Sequence, residues 1–181
     1  SWFQKGLLFG GGEDGLPFYN ITRSFNLIRH VWINSDTGFY NLTNLPLVPL
    51  FWVLKYFYEL GISGVILQAA VFFLLISTGV ISLHFLLEET LADRLSKNRL
   101  ELLSFLGALF YLLNPFSMVQ IWGRGLYTQF FSFAIVPPFL YLFIKGLKKG
   151  RFFYGITAGL ITAIFSAAFR HPTTVITVWA G

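Results

Sequence analysis

No cysteine occurs anywhere in the sequence, so disulfide bridges and thiolate catalysis are excluded. Charge is scarce too. Asp, Glu, Lys and Arg make up 12% of the 181 residues, against about 25% in an ordinary soluble domain. No phosphate loop is present, because the glycine clusters around Gly11 and Arg124 lack a following Lys and Ser or Thr. There is no zinc motif, serine-hydrolase elbow or nucleic-acid module, and no signal-peptide pattern follows Ser1. The net charge of +5 falls in short segments between apolar runs. Membrane orientation explains it better than nucleic acid does.

What fills the sequence instead is apolar surface. Hydrophobic residues account for 55%, aromatics for 19%, and the mean hydropathy is +0.66. A soluble chain of this length has no core able to bury so much, and the excess requires lipid as its solvent. Apolar runs at 64–87, 102–122, 125–144 and 152–169 are expected to form four spans. The expected fold is all-α, a polytopic transmembrane helix bundle occupying 63–181. Asn114-Pro115 is expected to end the second span, leaving residues 114–124 as a loop, since proline disfavours helix in the residue before it. Pro137-Pro138 should kink the third span. The chain starts without Met and stops inside a fresh apolar stretch ending at Gly181, which is the pattern of a fragment truncated at both ends.

Residues 1–62 read differently. Glycines surround Glu13 and Asp14, as in a loop. Phe18, Ile21, Phe25, Ile28 and Trp32 recur at helical spacing, opposite Asn20, Arg23, Asn26 and Arg29. This pattern predicts an amphipathic helix over about 17–32, lying flat at a membrane surface, the alternative being a helix packed on a soluble domain. A second short helix is expected over about 45–60, where Pro46, Pro49, Lys55 and Glu59 argue against a span. Together these are two interfacial, juxtamembrane helices. Asp36 stands in the turn between them. His84 lies within a span and reads as a packing or interhelical hydrogen-bonding residue.

Orientation follows from the basic residues. Loop 88–101 holds Arg94, Lys97 and Arg99, and loop 145–151 holds Lys145, Lys148, Lys149 and Arg151. Two spans separate these loops, so they share a side, and short Lys- and Arg-rich loops are cytoplasmic. The region of Arg124, the Arg170-His171-Pro172 turn and residues 1–62 then face outward, provided that 45–60 does not span.

This order of parts resembles the GT-C superfamily of membrane glycosyltransferases. The stretch GGGEDGLPFYNITRSFNLIRHVW is similar to the family's acidic first outer loop and first juxtamembrane helix. YLLNPFSMVQIWGRGLYTQFFSFAIVPPFLYLFIKGL resembles the third and fourth spans of large archaeal and bacterial members. The resemblance implies a polyprenyl-phosphate-linked sugar donor and a glycan or protein acceptor. It also implies a site on the outer face of a prokaryotic plasma membrane. The first-loop acid acts in this family as a base or binds a divalent metal. Here an adjacent Glu13-Asp14 stands in place of a separated pair, and Asp14 is the preferred base. The competing reading is that Asp14 caps the helix beginning near Pro17. Mg²⁺ or Mn²⁺ would take oxygen ligands from Glu13, Asp14 and Asp36. Arg124, Arg170 and His171 would hold the donor phosphates, unless they simply reach lipid headgroups. The alternative class is a transporter or channel, or a non-catalytic membrane scaffold, which the intramembrane prolines suit.

Because the native chain lacks cysteine, single cysteines report topology cleanly. Lys97→Cys and Lys148→Cys are expected to resist a membrane-impermeant maleimide in intact cells and to react after permeabilisation. Labelling of either in intact cells reverses the orientation.

Overall fold

The computed structural model describes residues 8, 17–33, 39–40, 45–123 and 127–166. In chain order these form α1 (Ile21–Ile28), a two-residue antiparallel pairing of β1 (Trp32–Ile33) with β2 (Phe39–Tyr40), and α2 (Val48–Glu59). Then come α3 (Gly64–Leu91), α4 (Lys97–Leu113), α5 (Pro115–Ser117), a π-helical turn over Met118–Gly123, α6 (Tyr127–Lys149) and α7 (Phe152–Ile164). Three stretches, Gly64–Leu91, Lys97–Ile121 and Gln129–Lys149, are long and apolar enough to cross a membrane. The chain is an all-α integral membrane protein.

α3 is the axis of the bundle. Its N-cap Ser63 accepts the Ile66 N–H. Leu67, Val71, Leu75 and Gly79 recur every four residues and form a buried ridge. At Gly79 an added Cβ would lie 2.6 Å from the Phe133 ring and 2.7 Å from the Phe133 carbonyl oxygen. That glycine therefore sets how closely α3 approaches α6. On its other side α3 meets α4, whose buried residues, Ser104 and Ala108, are small. Small residues let helices approach in lipid, where packing rather than water exclusion drives association.

The helices overrun their expected ends. At about 1.5 Å per residue, the 28 residues of α3 exceed a hydrocarbon core of about 30 Å. Glu88 and Glu89 thus extend the helix past the apolar run expected to end at residue 87. α4 likewise begins at Lys97, so residues 92–96 are all that remain of the expected 88–101 loop. At the other basic loop, Lys148 and Lys149 end α6, and Gly150 at φ 59° turns the chain into α7. α7 covers 13 described residues of the expected fourth span.

The amphipathic segment departs from expectation in two ways. Asn20 caps α1 by accepting the Arg23 N–H at 2.9 Å, but the helix stops at Ile28. Trp32 and Ile33 pair as extended chain instead, in keeping with the strand preference of β-branched and aromatic residues. Second, the apolar stripe does not face lipid. Phe18, Ile21 and Ile28 are buried in the protein core, with Phe25 packed beside them. Phe18 contacts Phe51 of α2 and Phe72 of α3. Trp52 and Tyr56 of α2 are exposed. α2 is 12 residues long, too short to span, and its Lys55 and Glu59 pair at 2.7 Å.

Gly79→Ala is expected to destabilise the detergent-solubilised protein by about 1–3 kcal/mol, the range for overpacking. Gly155→Ala, where an added Cβ meets nothing within 4 Å, is the control and should be neutral or slightly stabilising. Equal thermal unfolding of the two variants would contradict the close α3–α6 contact.

Candidate functional site

One end of the bundle is built around aromatic rings. Phe72 of α3 stacks on Phe130 of α6 at 4.3 Å, and Phe18 meets Phe72 edge-on at 6.4 Å. Leu8, Ile121, Phe131 and Phe165 pack into the same cluster. This end lies opposite the basic loops, because α3 starts here and finishes there.

The break in α4 is built at this end as well. Asn114 adopts φ −64°, ψ 158°, the extended conformation expected before proline. However, the chain resumes helically at Pro115 and continues as the π turn to Gly123, so the expected 114–124 loop is helical over its described part. Pro115 has no N–H for the Tyr111 carbonyl four residues back. Two side chains replace it: Asn114 Nδ2 and Ser117 Oγ each donate to Tyr111 O at 2.7 Å. Asn114 Oδ1 in turn accepts the Ser117 N–H at 3.0 Å. Pro137 creates the same deficit at the Phe133 carbonyl. The Tyr111 hydroxyl fills it, donating at 3.1 Å while its ring stacks on Phe133 at 4.2 Å. Tyr111 therefore links the proline break of α4 to that of α6. α6 remains helical through Pro137-Pro138.

An open groove of about 490 Å³ runs between α1 and α2, lined by Asn20, Arg23, Asn26, Leu27 and Tyr58 among others. The predicted site residues Glu13, Asp14, Asp36, Arg124, Arg170 and His171 all lie outside the described residues. What the structure brings together is the described chain flanking Glu13-Asp14 and Arg124 and preceding Arg170-His171. Leu8 and Phe18 bracket Glu13-Asp14, Ile121 and Phe130 bracket Arg124, and Phe165 precedes Arg170-His171, all in one cluster. Among the described residues, no three His, Asp or Glu side chains converge as metal ligands. The candidate metal set Glu13, Asp14 and Asp36 is outside them.

The opposite end holds a charged cleft of about 580 Å³ between the ends of α3, α4 and α6. Glu88, Glu89, Asp93 and Glu101 line it together with Lys97, Lys145 and Lys148. Lys148 Nζ lies 3.7 Å from Glu89 and 4.0 Å from Asp93. Lys145 donates to the Tyr141 hydroxyl and sits 4.5 Å above its ring. His84, expected to be a packing or interhelical hydrogen-bonding residue, lies 3.5 Å from Glu88 on its own helix. Sequence reasoning counted the cations here and passed over the acids. Four acids within 14 residues of a weakly charged chain were the available signal.

No protein-family model matches the chain, and no curated protein or solved structure matches it.

Tyr111→Phe removes the donor to the Phe133 carbonyl and is expected to cost about 1 kcal/mol. In a Pro137→Ala background the residue 137 N–H can serve that carbonyl, so the cost of Tyr111→Phe should largely vanish. Additive losses in this double-mutant cycle would separate the hydroxyl from the proline break.

Proposed function

We propose that the chain is part of a membrane glycosyltransferase. It transfers sugar from a polyprenyl-phosphate-linked donor to a glycan or protein acceptor, on the outer face of a prokaryotic plasma membrane. The support is the convergence of Leu8, Phe18, Ile121, Phe130 and Phe165 on one cluster, opposite the basic loops. The chain positions flanking the acids and the flanking cations start from one end of the bundle. In this reaction the acceptor hydroxyl attacks the sugar carbon, the bond from that carbon to the phosphate oxygen breaks, and Asp14 takes the hydroxyl proton. Arg124, Arg170 and His171 stabilise the departing polyprenyl phosphate, where negative charge grows in the transition state. Membrane lipid surrounds the donor.

The broken α4, with its π turn, favours a second reading as a transporter, since discontinuous helices line many transport sites. Against it, the buried polar side chains of the described spans are Gln68, Ser104 and Ser117, none of them ionisable. A conducted ion or proton usually needs ionisable groups along its path.

Turnover of a polyprenyl-phosphate sugar by membranes containing the full-length protein tests the class. Asp14→Asn keeps capping ability, because Asn caps as well as Asp, but removes the base. The expected loss is about 10²-fold or more. Glu13→Gln identifies the neighbour if that residue is the base instead. Normal transfer by both variants makes the acidic pair structural, and absence of any transfer by the wild type removes the glycosyltransferase reading.

A further inference from the structure

The charged cleft at the basic-loop end carries an inference independent of the proposed activity. Most of its charges are already answered within the protein. Lys148 serves Glu89 and Asp93, Glu88 faces His84, and Lys145 is held by Tyr141 and lies 5.9 Å over the Tyr154 ring. Lys97 and Glu101 line the same cleft and have no side-chain partner among the described residues. They are four residues apart on α4 and are not paired with each other. Lys preceding Glu at this spacing is also the weaker order for a helical ion pair.

An unanswered ammonium and an unanswered carboxylate in one cleft do not suit a simple anion or a simple cation. Four carboxylates oppose the first, and three ammonium groups oppose the second. They suit a zwitterion. The position of the cleft along the helices indicates which one. It sits where α3, α4 and α6 all end, in the part of α3 that exceeds the hydrocarbon thickness. Phe85 and Leu100 form part of its wall. Next to it, Leu103 and Leu106 of α4 are exposed and offer apolar surface to acyl chains.

We infer that this cleft binds the headgroup of an aminophospholipid of the phosphatidylethanolamine type. Lys97 meets the phosphate and the lipid ammonium donates to Glu101. Phosphatidylglycerol offers Glu101 no cation. The trimethylammonium of phosphatidylcholine has no N–H to donate.

The test is retention of added lipids by the delipidated full-length protein, read by native mass spectrometry. Phosphatidylethanolamine should be retained about fivefold or more over phosphatidylglycerol and phosphatidylcholine. Lys97→Gln and Glu101→Gln should each remove most of that preference while leaving thermal unfolding in detergent unchanged. Equal retention of the three lipids, or an undiminished preference in both variants, overturns the assignment. Soluble phosphoethanolamine at equal concentration should displace little of the lipid. Full displacement would make the ligand a free zwitterion and not a lipid.

Discussion

Phe72 stacked on Phe130, with planes 13° from parallel, is the contact on which one whole end of the protein depends. The two rings belong to α3 and α6, and Phe18 brings the segment before the first described span onto them. In lipid, apolar side chains gain little by leaving the solvent, so association rests on the quality of packing. Ring pairs contribute directional attraction of roughly 0.5–1.5 kcal/mol each beyond burial. The close fit extends to the backbone. The Phe18 carbonyl occupies the space where a side chain at position 64 would begin, and the residue there is glycine. α1 is consequently held by protein, and the aromatic face that remains open belongs to α2.

The second constraint is the accounting of backbone hydrogen bonds. Water cannot satisfy a freed carbonyl in the hydrocarbon region, so each proline in a span needs a local substitute. The Tyr111 carbonyl receives two side-chain donors from the residues around Pro115, and the Tyr111 hydroxyl repays the deficit made by Pro137. One residue thus takes part in both repairs. Gly79 completes the arrangement by allowing α3 to lie against Phe133 on the same stretch of α6.

Hydropathy made the spans legible, because about 20 apolar residues in a row have few alternatives. Their ends were less legible, since a helix continues into the headgroup region wherever its backbone bonds can form, as at Glu88 and Lys97. The helical spacing of Phe18, Ile21, Phe25 and Ile28 located α1 and its buried face, but amphipathicity does not identify what covers that face. Trp32 fitted the helical spacing and joined a strand pair instead, where local preference outweighed periodicity. At Asn114-Pro115 the pre-proline rule located the break, and the side-chain capping that restarts the helix was hidden. Asn and Ser near a proline are equally at home in a loop. The candidate acids and arginines were chosen by residue type and resemblance. Their legible structural part is the aromatic cluster holding the chain around Glu13-Asp14 and Arg124 and before Arg170-His171.

The two ends of the bundle solve different problems with different chemistry. At the aromatic end, rings and side-chain amides close the structure, and the groove beside α1 is lined by neutral groups and Arg23. At the ionic end, Lys148 ties α6 to α3 through Glu89, and four acids offset the three lysines of the cleft. Of the three long spans, the one with least burial contains α4. Ser104 and Ala108 are its buried residues, while Phe105, Leu109, Phe110 and Leu113 face outward. A helix with so few buried contacts draws less of its position from packing than α3 or α6 does. Its placement therefore rests on two specific links: the Tyr111 hydroxyl near one end and the small-residue contact with α3 at the middle. Local stability along α4 is set by these two links, because its wide apolar face adds little where lipid is the competing solvent.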